Sequence, residues 1–299
     1  MLRPAALAAL LLIVSACTGS APSGPPTASV GPSSPPSGSP SSSPSVGAIE
    51  HATGATDVVL RYEESGGLMM PGYTAAQAPI FTLYGDGTII FRNPTKDLPP
   101  AVGSVMPFQP FRTAKMDEPQ IQSLLEFAIG PGGLGAARAD YPNNMVMDAP
   151  SAIFTIAAGG VTKTVTVAAL GIDNDQVPDL LARKAFVALR DHLVDIDDGG
   201  SIKTDLYAPE RYRAILLEGQ PGAPDQKAWP WKDIKPSDFV NDGAPDVLPL
   251  PARVMTVAEI EGLGIAAYQG GFAGLPLAGP GDGKFYSLNV RPLLPDDKK

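Results

Sequence analysis

The residues able to do chemistry in this 299-residue chain are few. There is one Cys, Cys17, and there are two His, His51 and His192. A single thiol makes no internal disulfide, no thiolate zinc site and no redox pair. A Ser-His-Asp arrangement needs one of the two imidazoles beside its nucleophile, and no G-x-S-x-G elbow is present. His51 sits where a low-complexity segment meets the folded part, a place where fixed geometry is not expected. His192 falls at the edge of a helix's apolar stripe and reads as a half-buried structural side chain.

Acidic side chains are the remaining chemistry. Zinc-type sites built from His and Cys are excluded by count, and no cofactor is expected. Calcium needs only oxygen ligands. Asp173, Asn174, Asp175 and Asp179 precede a predicted helix, where acids favour the macrodipole and so read as caps. Asp195, Asp197 and Asp198 follow that helix, where acids are unfavourable, and they are the calcium candidates. A solvated acidic loop is the competing account, because neither cluster has the EF-hand spacing. Glu63 and Glu64 are neighbours on a predicted strand and point to opposite faces, so they are no ready-made glycosidase pair. The Gly-rich stretches 130–133 and 264–274 lack the context of a phosphate loop.

Two segments read as binding surfaces. Trp229-Pro230-Trp231 would form a rigid aromatic ledge, or else cover the core where the chain crosses a sheet. Met69-Met70-Pro71-Gly72-Tyr73 would be an adaptable apolar loop tip, or else an ordinary connection. With 22 Lys+Arg against 31 Asp+Glu and a net charge of −9, the chain does not suit nucleic acid or anionic headgroups.

The N-terminus says where these residues would work. Arg3 is the only charge before Glu50, and an apolar run from Ala5 to Val14 follows it. That run is too short to span a bilayer, which takes about 20 residues, and reads as a secretory signal. Its end, Val14-Ser15-Ala16-Cys17, resembles the lipobox of bacterial lipoproteins. The resemblance implies cleavage after Ala16, a diacylglycerol on the Cys17 thiol and a fatty acyl chain such as palmitate on the new amino group. Two or three chains anchor stably where one does not. Residues 18–47 hold 11 Ser, 8 Pro and 5 Gly with no charge and no aromatic. Such a segment cannot bury enough apolar surface to order itself, so it reads as a tether.

The elements that must position any site lie in 48–299. VVLRY (58–62) predicts a strand. IFTLYGDGTIIF (80–91) predicts a hairpin turning on Gly85-Asp86-Gly87, with positive φ supplied by the Asp-Gly pair. MDEPQIQSLLEFAIG (116–130) predicts a helix capped by Asp117, with Pro119 in its first turn. SAIFTIAAGGVTKTVTV (151–167) predicts a second hairpin around Gly159-Gly160. Residues 177–196 predict a second helix, with Leu181, Ala185, Leu189, Leu193 and Ile196 inward and Arg183, Lys184, Arg190 and Asp191 outward. Further on, 211–218 predicts a strand, 256–264 a short helix with a Thr256/Glu259 capping box, and 283–294 a final strand. This order is α+β, with helices on one face of antiparallel sheets. It divides into residues 48–200 and a C-terminal α+β part, 201–299, packed on them. Both helices 116–129 and 256–264 lead through paired glycines to strands. An imperfect duplication would explain that echo, as would chance.

The stretch from Tyr84 to Gly171 is similar to an uncharacterised domain of bacterial secreted proteins and lipoproteins. The similarity rests on LYGDGTIIF (83–91), Gln120, Leu124, Leu125, Gly133, Asp140-Tyr141 and Asp148-Ala149-Pro150. The tail, with WPW (229–231) and VRPLLPD (290–296), resembles secreted proteins of actinobacterial type. These resemblances imply fold and compartment and no activity. The expectation is a non-enzymatic lipoprotein on the extracytoplasmic face of the cell membrane. Its domain would hold a protein or cell-envelope component, through Trp229, Trp231, Met69, Met70 or Tyr73. A carboxylate-dependent carbohydrate-active hydrolase and an inhibitor of a secreted enzyme are the alternatives.

Overall fold

The computed structural model describes residues 47–297 apart from 102, 173–175, 199, 201, 242–248, 266–267 and 282. Cys17, most of the tether and Asp173–Asp175 lie outside the described residues. The fold is α+β, with two antiparallel-rich sheets.

Alternating apolar residues and glycine turns build the first sheet. Its strands are β1 (Val58–Gly66), β2 (Phe81–Tyr84), β3 (Thr88–Phe91), β5 (Arg112–Lys115), β6 (Asp140–Tyr141), β7 (Pro150–Ala158), β8 (Val161–Ala168) and β9 (Asp205–Leu206). A two-residue strand, β4 (Met106–Pro107), interrupts this series and belongs elsewhere. The spatial order is β6-β8-β7-β1-β2-β3-β5-β9. Both predicted hairpins are present, and Gly159 and Gly160 turn the second with φ of +58° and +73°. In the first hairpin only Gly87 has positive φ, +85°. Gly85 is needed for a different reason: a Cβ there would lie 2.5 Å from Ala52 O.

One face of this sheet carries α2 (Glu118–Ile129) and α3 (Leu180–Val194). Asp117 and Gln120 close a full capping box on α2, with Asp117 Oδ1 accepting from Gln120 N at 2.9 Å. Ile121, Leu124, Leu125 and Ala128 pack with Phe81, Leu83, Phe91, Phe154 and Phe186 into the main core.

The face of α3 differs from the sequence expectation. Leu181 is 85% exposed, and Arg183 is fully buried beside Phe186, Leu189 and Leu193. The physical reason is hydrogen bonding. Arg183 donates to Tyr141 O at 3.2 Å and to Ala168 O and Ala169 O, carbonyls where β6 and β8 end. Five fixed donors suit a cluster of buried carbonyls at the strand ends. Asp179 also departs from its expected role. It stands at the α3 N-cap with φ +63°, makes no side-chain cap and pairs with Arg138 instead.

The second sheet comprises β10 (Arg211–Glu218), β11 (Lys227–Ala228), β12 (Val240–Asn241), β13 (Pro251–Thr256), β14 (Phe272–Ala278) and β15 (Phe285–Pro292), in the order β11-β14-β15-β10-β13-β12. β4 joins it by pairing with β14. The predicted Thr256/Glu259 box caps α4 (Val257–Glu261) over its core. The two helix-and-hairpin units are wired differently. After α2 the first long strand, β7, pairs with β1, whereas after α4 the second strand, β15, pairs with β10.

Residues 44–299 form one compact unit. The chain crosses the expected boundary at 200 in both directions, since β4 pairs in the second sheet and β9 in the first. A third crossing is made by the C-terminal segment. Leu294 packs with Tyr84, Ile90 and Phe111. Asp296 takes a 2.7 Å ion pair from Arg61 and a 2.7 Å bond from the Tyr84 hydroxyl. A short helix, α1 (Pro71–Ala75), lies on the second sheet where the sequence suggested a loop. Its approach is close enough that a Cβ on Gly72 would meet Asn289 Nδ2 at 2.6 Å.

Candidate functional site

The aromatic ledge of Trp229 and Trp231 is part of the second core. The rings meet edge-on at 5.2 Å, and Trp229 also packs against Phe239 and Tyr286. Trp229 Nε1 donates to Ile234 O at 2.7 Å and Trp231 Nε1 to Glu259 O at 2.9 Å. Both polar handles are thus engaged within the chain, which matches the core-covering account of this segment.

The three C-terminal aspartates of α3 are likewise engaged. Asp195 and Asp198 both pair with Lys96, and Asp197 Oδ2 stands 3.8 Å from Arg112 Nε. Among the described residues no three His, Cys, Asp or Glu side chains converge as metal ligands. His192 is exposed instead of half-buried, although its ring lies 4.6 Å from that of Phe127 and partial burial there lowers its basicity. His51 also differs from its reading. Its side chain is only 6% exposed, with Nδ1 2.7 Å from Ala52 O and Nε2 3.3 Å from Glu118 Oε1. The chain is already fixed here, because Gln122 binds both backbone groups of Ile49 and Gly159 N donates to Glu50 O.

Met69 and Met70 flank the start of α1, with Met70 70% exposed. Leu68 N donates to Asp148 O at 3.1 Å, which sets this loop beside the one carrying exposed Met145 and Met147. Tyr73 turns inward, away from Met69 and Met70, and meets Phe108 edge-on at 5.2 Å.

Tyr73 and Phe108 belong to the wall of a cavity of about 160 Å³. Glu64, Gln77, Ile80, Arg92, Pro94 and Gln109 complete most of the lining. The group of greatest consequence is Arg92, 7% exposed and set just beyond the end of β3. Its guanidinium lies 5.5 Å from the Phe108 ring and 5.0 Å from the Phe111 ring. NH2 donates to Ala78 O at 3.1 Å, while NH1 is buried without any hydrogen-bond partner. Burial pushes its pKa down to about 10, against smaller upward pulls from Tyr73 and Glu64. Among the described residues no carboxylate forms an ion pair with it.

This is an unusual settlement for a buried cation. Stacking on two aromatic faces offsets part of the desolvation. An unmet charged donor still costs roughly 1–3 kcal/mol or more. The arrangement can therefore take up an external acceptor. Sequence reading missed Arg92, Gln77, Phe108 and Gln109, and weighed Glu64 only as a neighbour of Glu63. The available signal was the alternation Ile90-Phe91-Arg92, which carries an apolar strand pattern one step further into a charge.

A wider cleft of about 770 Å³ runs along the second sheet, lined by Leu216, Phe239 and Tyr286 with Glu218, Lys235 and Lys284. Its walls are mainly apolar, and it holds no comparable orphaned group among the described residues.

Among the described residues no helix is long and apolar enough to cross a membrane. Comparison with protein-family models, with curated proteins and with solved structures returns no match.

Proposed function

We propose that this chain is a lipid-anchored, extracytoplasmic binding protein of bacterial type, and that its α+β domain holds a small polar ligand in the Arg92 cavity without chemical turnover. The observation that carries the binding reading is the buried Arg92 NH1, a charged donor left without an acceptor on a side chain that lines the recess. Folding does not reward such a feature, and binding does. The cavity has a single carboxylate in its wall, Glu64, whereas glycoside hydrolysis works with two. Anchoring is supported by Val14-Ser15-Ala16-Cys17 and by the uncharged 30-residue tether that follows.

The binding reading is tested by thermal-shift and calorimetric screening of the full mature chain in detergent against small carboxylates, amino acids and sugar acids. Wild type should gain stability with at least one class, and Arg92→Met should lose that gain. Binding unchanged in Arg92→Met would sink the assignment. The anchor is tested separately. Cys17→Ala should move the protein from the membrane fraction to the soluble one and end labelling by a fatty-acid probe. Persistence of both would refute it.

A further inference from the structure

Resting on the Arg92 cavity as a binding site, the geometry points to its ligand class: we infer a free α-amino acid, bound as the zwitterion. The first argument is charge. The residues of the wall carry one cation, Arg92, and one anion, Glu64, and no other formal charge. Both are short of partners. Glu64 Oε1 accepts the Tyr62 hydroxyl at 2.5 Å, and Oε2 takes no hydrogen bond from the described residues. Arg92 NH1 has none either. The Glu64 charge raises the basicity of Arg92, yet among the described residues the two form no ion pair.

A ligand with only a carboxylate would answer Arg92 and be repelled by Glu64. A ligand with only an ammonium group would do the reverse. A zwitterion answers both with charge-assisted hydrogen bonds, the strongest kind, and leaves the recess neutral. Size is the second argument. A cavity of about 160 Å³ has room for about five waters at roughly 30 Å³ each. That is the scale of a small amino acid and well below the usual drug-sized pocket. Tyr73, Ile80, Pro94 and Phe108 give the remaining wall an apolar character suited to a short side chain. Gln77 and Gln109 add amides that can donate to the carboxylate or accept from the ammonium.

The experiment compares matched ligands on the full mature chain by calorimetry. For each of a set of L-amino acids, the probes are the amino acid, its deamino acid lacking only the ammonium, and its amide lacking only the carboxylate charge. Wild type should prefer the best amino acid over its deamino partner by tenfold or more, and over its amide by a similar factor. Glu64→Gln should cut the first ratio below threefold while keeping carboxylate binding. Wild type binding the deamino acid as tightly as the amino acid would overturn the zwitterion inference and leave the Arg92 site standing. An amino-acid preference unchanged in Glu64→Gln would overturn the role given to Glu64. No binding by any probe class would remove both this inference and the site beneath it. The matched-ligand comparison on wild type holds even if a variant folds poorly.

Discussion

The guanidinium groups of Arg183, Arg61 and Arg92 are all largely withdrawn from water, and each is settled differently. Arg183 meets strand-end carbonyls, Arg61 meets the carboxylate of Asp296, and Arg92 meets two aromatic faces and one carbonyl. Their replacement by Met should therefore have unequal effects. Arg183→Met removes the buried hydrogen bonds to Tyr141 O, Ala168 O and Ala169 O and should cost about 3–5 kcal/mol. Arg61→Met leaves Asp296 without its cation and should cost about 2–4 kcal/mol. Arg92→Met removes a charge that lacks a counter-ion, so its loss of packing is offset and the change should stay within about 1 kcal/mol. Urea midpoints at constant slope measure all three. An Arg92→Met cost equal to that of Arg183→Met would mean Arg92 is a structural staple. None of these settlements is readable from residue type, because each depends on groups at least 14 positions away in the chain.

At the scale of elements, the helices separate what local sequence decides from what packing decides. The capping boxes at Asp117 and Thr256 are local and were legible. Asp117→Ala should cost about 1 kcal/mol by thermal or chemical unfolding. The inward face of α3 was not legible, because an Arg carries no apolar signal and Leu181 carries a false one. Leu181→Ala should fall within about 0.5 kcal/mol of wild type, whereas Phe186→Ala, which unstacks Phe154 and Tyr141, should cost about 3–5 kcal/mol. Equal effects would contradict the orientation of the helix. The α1 segment was read as a loop for a comparable reason. Five residues with Pro and Gly have little helical propensity, and the turn is held by its seat on β10, β14 and β15.

For the whole molecule, the crossing of strands between sheets predicts a single cooperative unfolding transition. Two resolved steps by circular dichroism and tryptophan fluorescence would contradict it, since both Trp lie in the second core. The C-terminal segment also sets a pH response. Burial alone would raise Asp297, but hydrogen bonds from Arg291 and Leu294 N, with the Arg291 charge, hold its pKa below the ordinary 3.8. Its contribution is fully present above pH 3.8 and is lost as pH falls through the lowered folded value. Nearby Glu63 has the opposite sign. Burial lifts its pKa above 4.5 despite Arg61 and Arg291, so it withdraws stability as pH rises past 4.5. Asp297→Asn should lower stability at neutral pH and flatten the acid limb below about pH 4. Glu63→Gln should raise stability near neutrality. An acid limb unchanged in Asp297→Asn would assign it to other carboxylates.

The amino-acid sequence alone determined both hairpins, the caps of α2 and α4, the long strands β1, β10 and β15, and the α+β class; it did not place β5, β13 or β14. Each of these is written in residues within about fifteen positions of one another, where turn geometry, capping and alternation act directly. It also determined the expectation of a lipid anchor and tether, which is a matter of composition and not of packing. Tertiary structure decided that Trp229 and Trp231 serve the core, that Arg183 faces inward, and that Glu64, Tyr73, Arg92 and Phe108 share one recess. Those four come from separate segments, and the one bearing Phe108 follows a strand of the second sheet. What brings them together is the burial of apolar surface between distant segments, a sum over many contacts that no local pattern encodes.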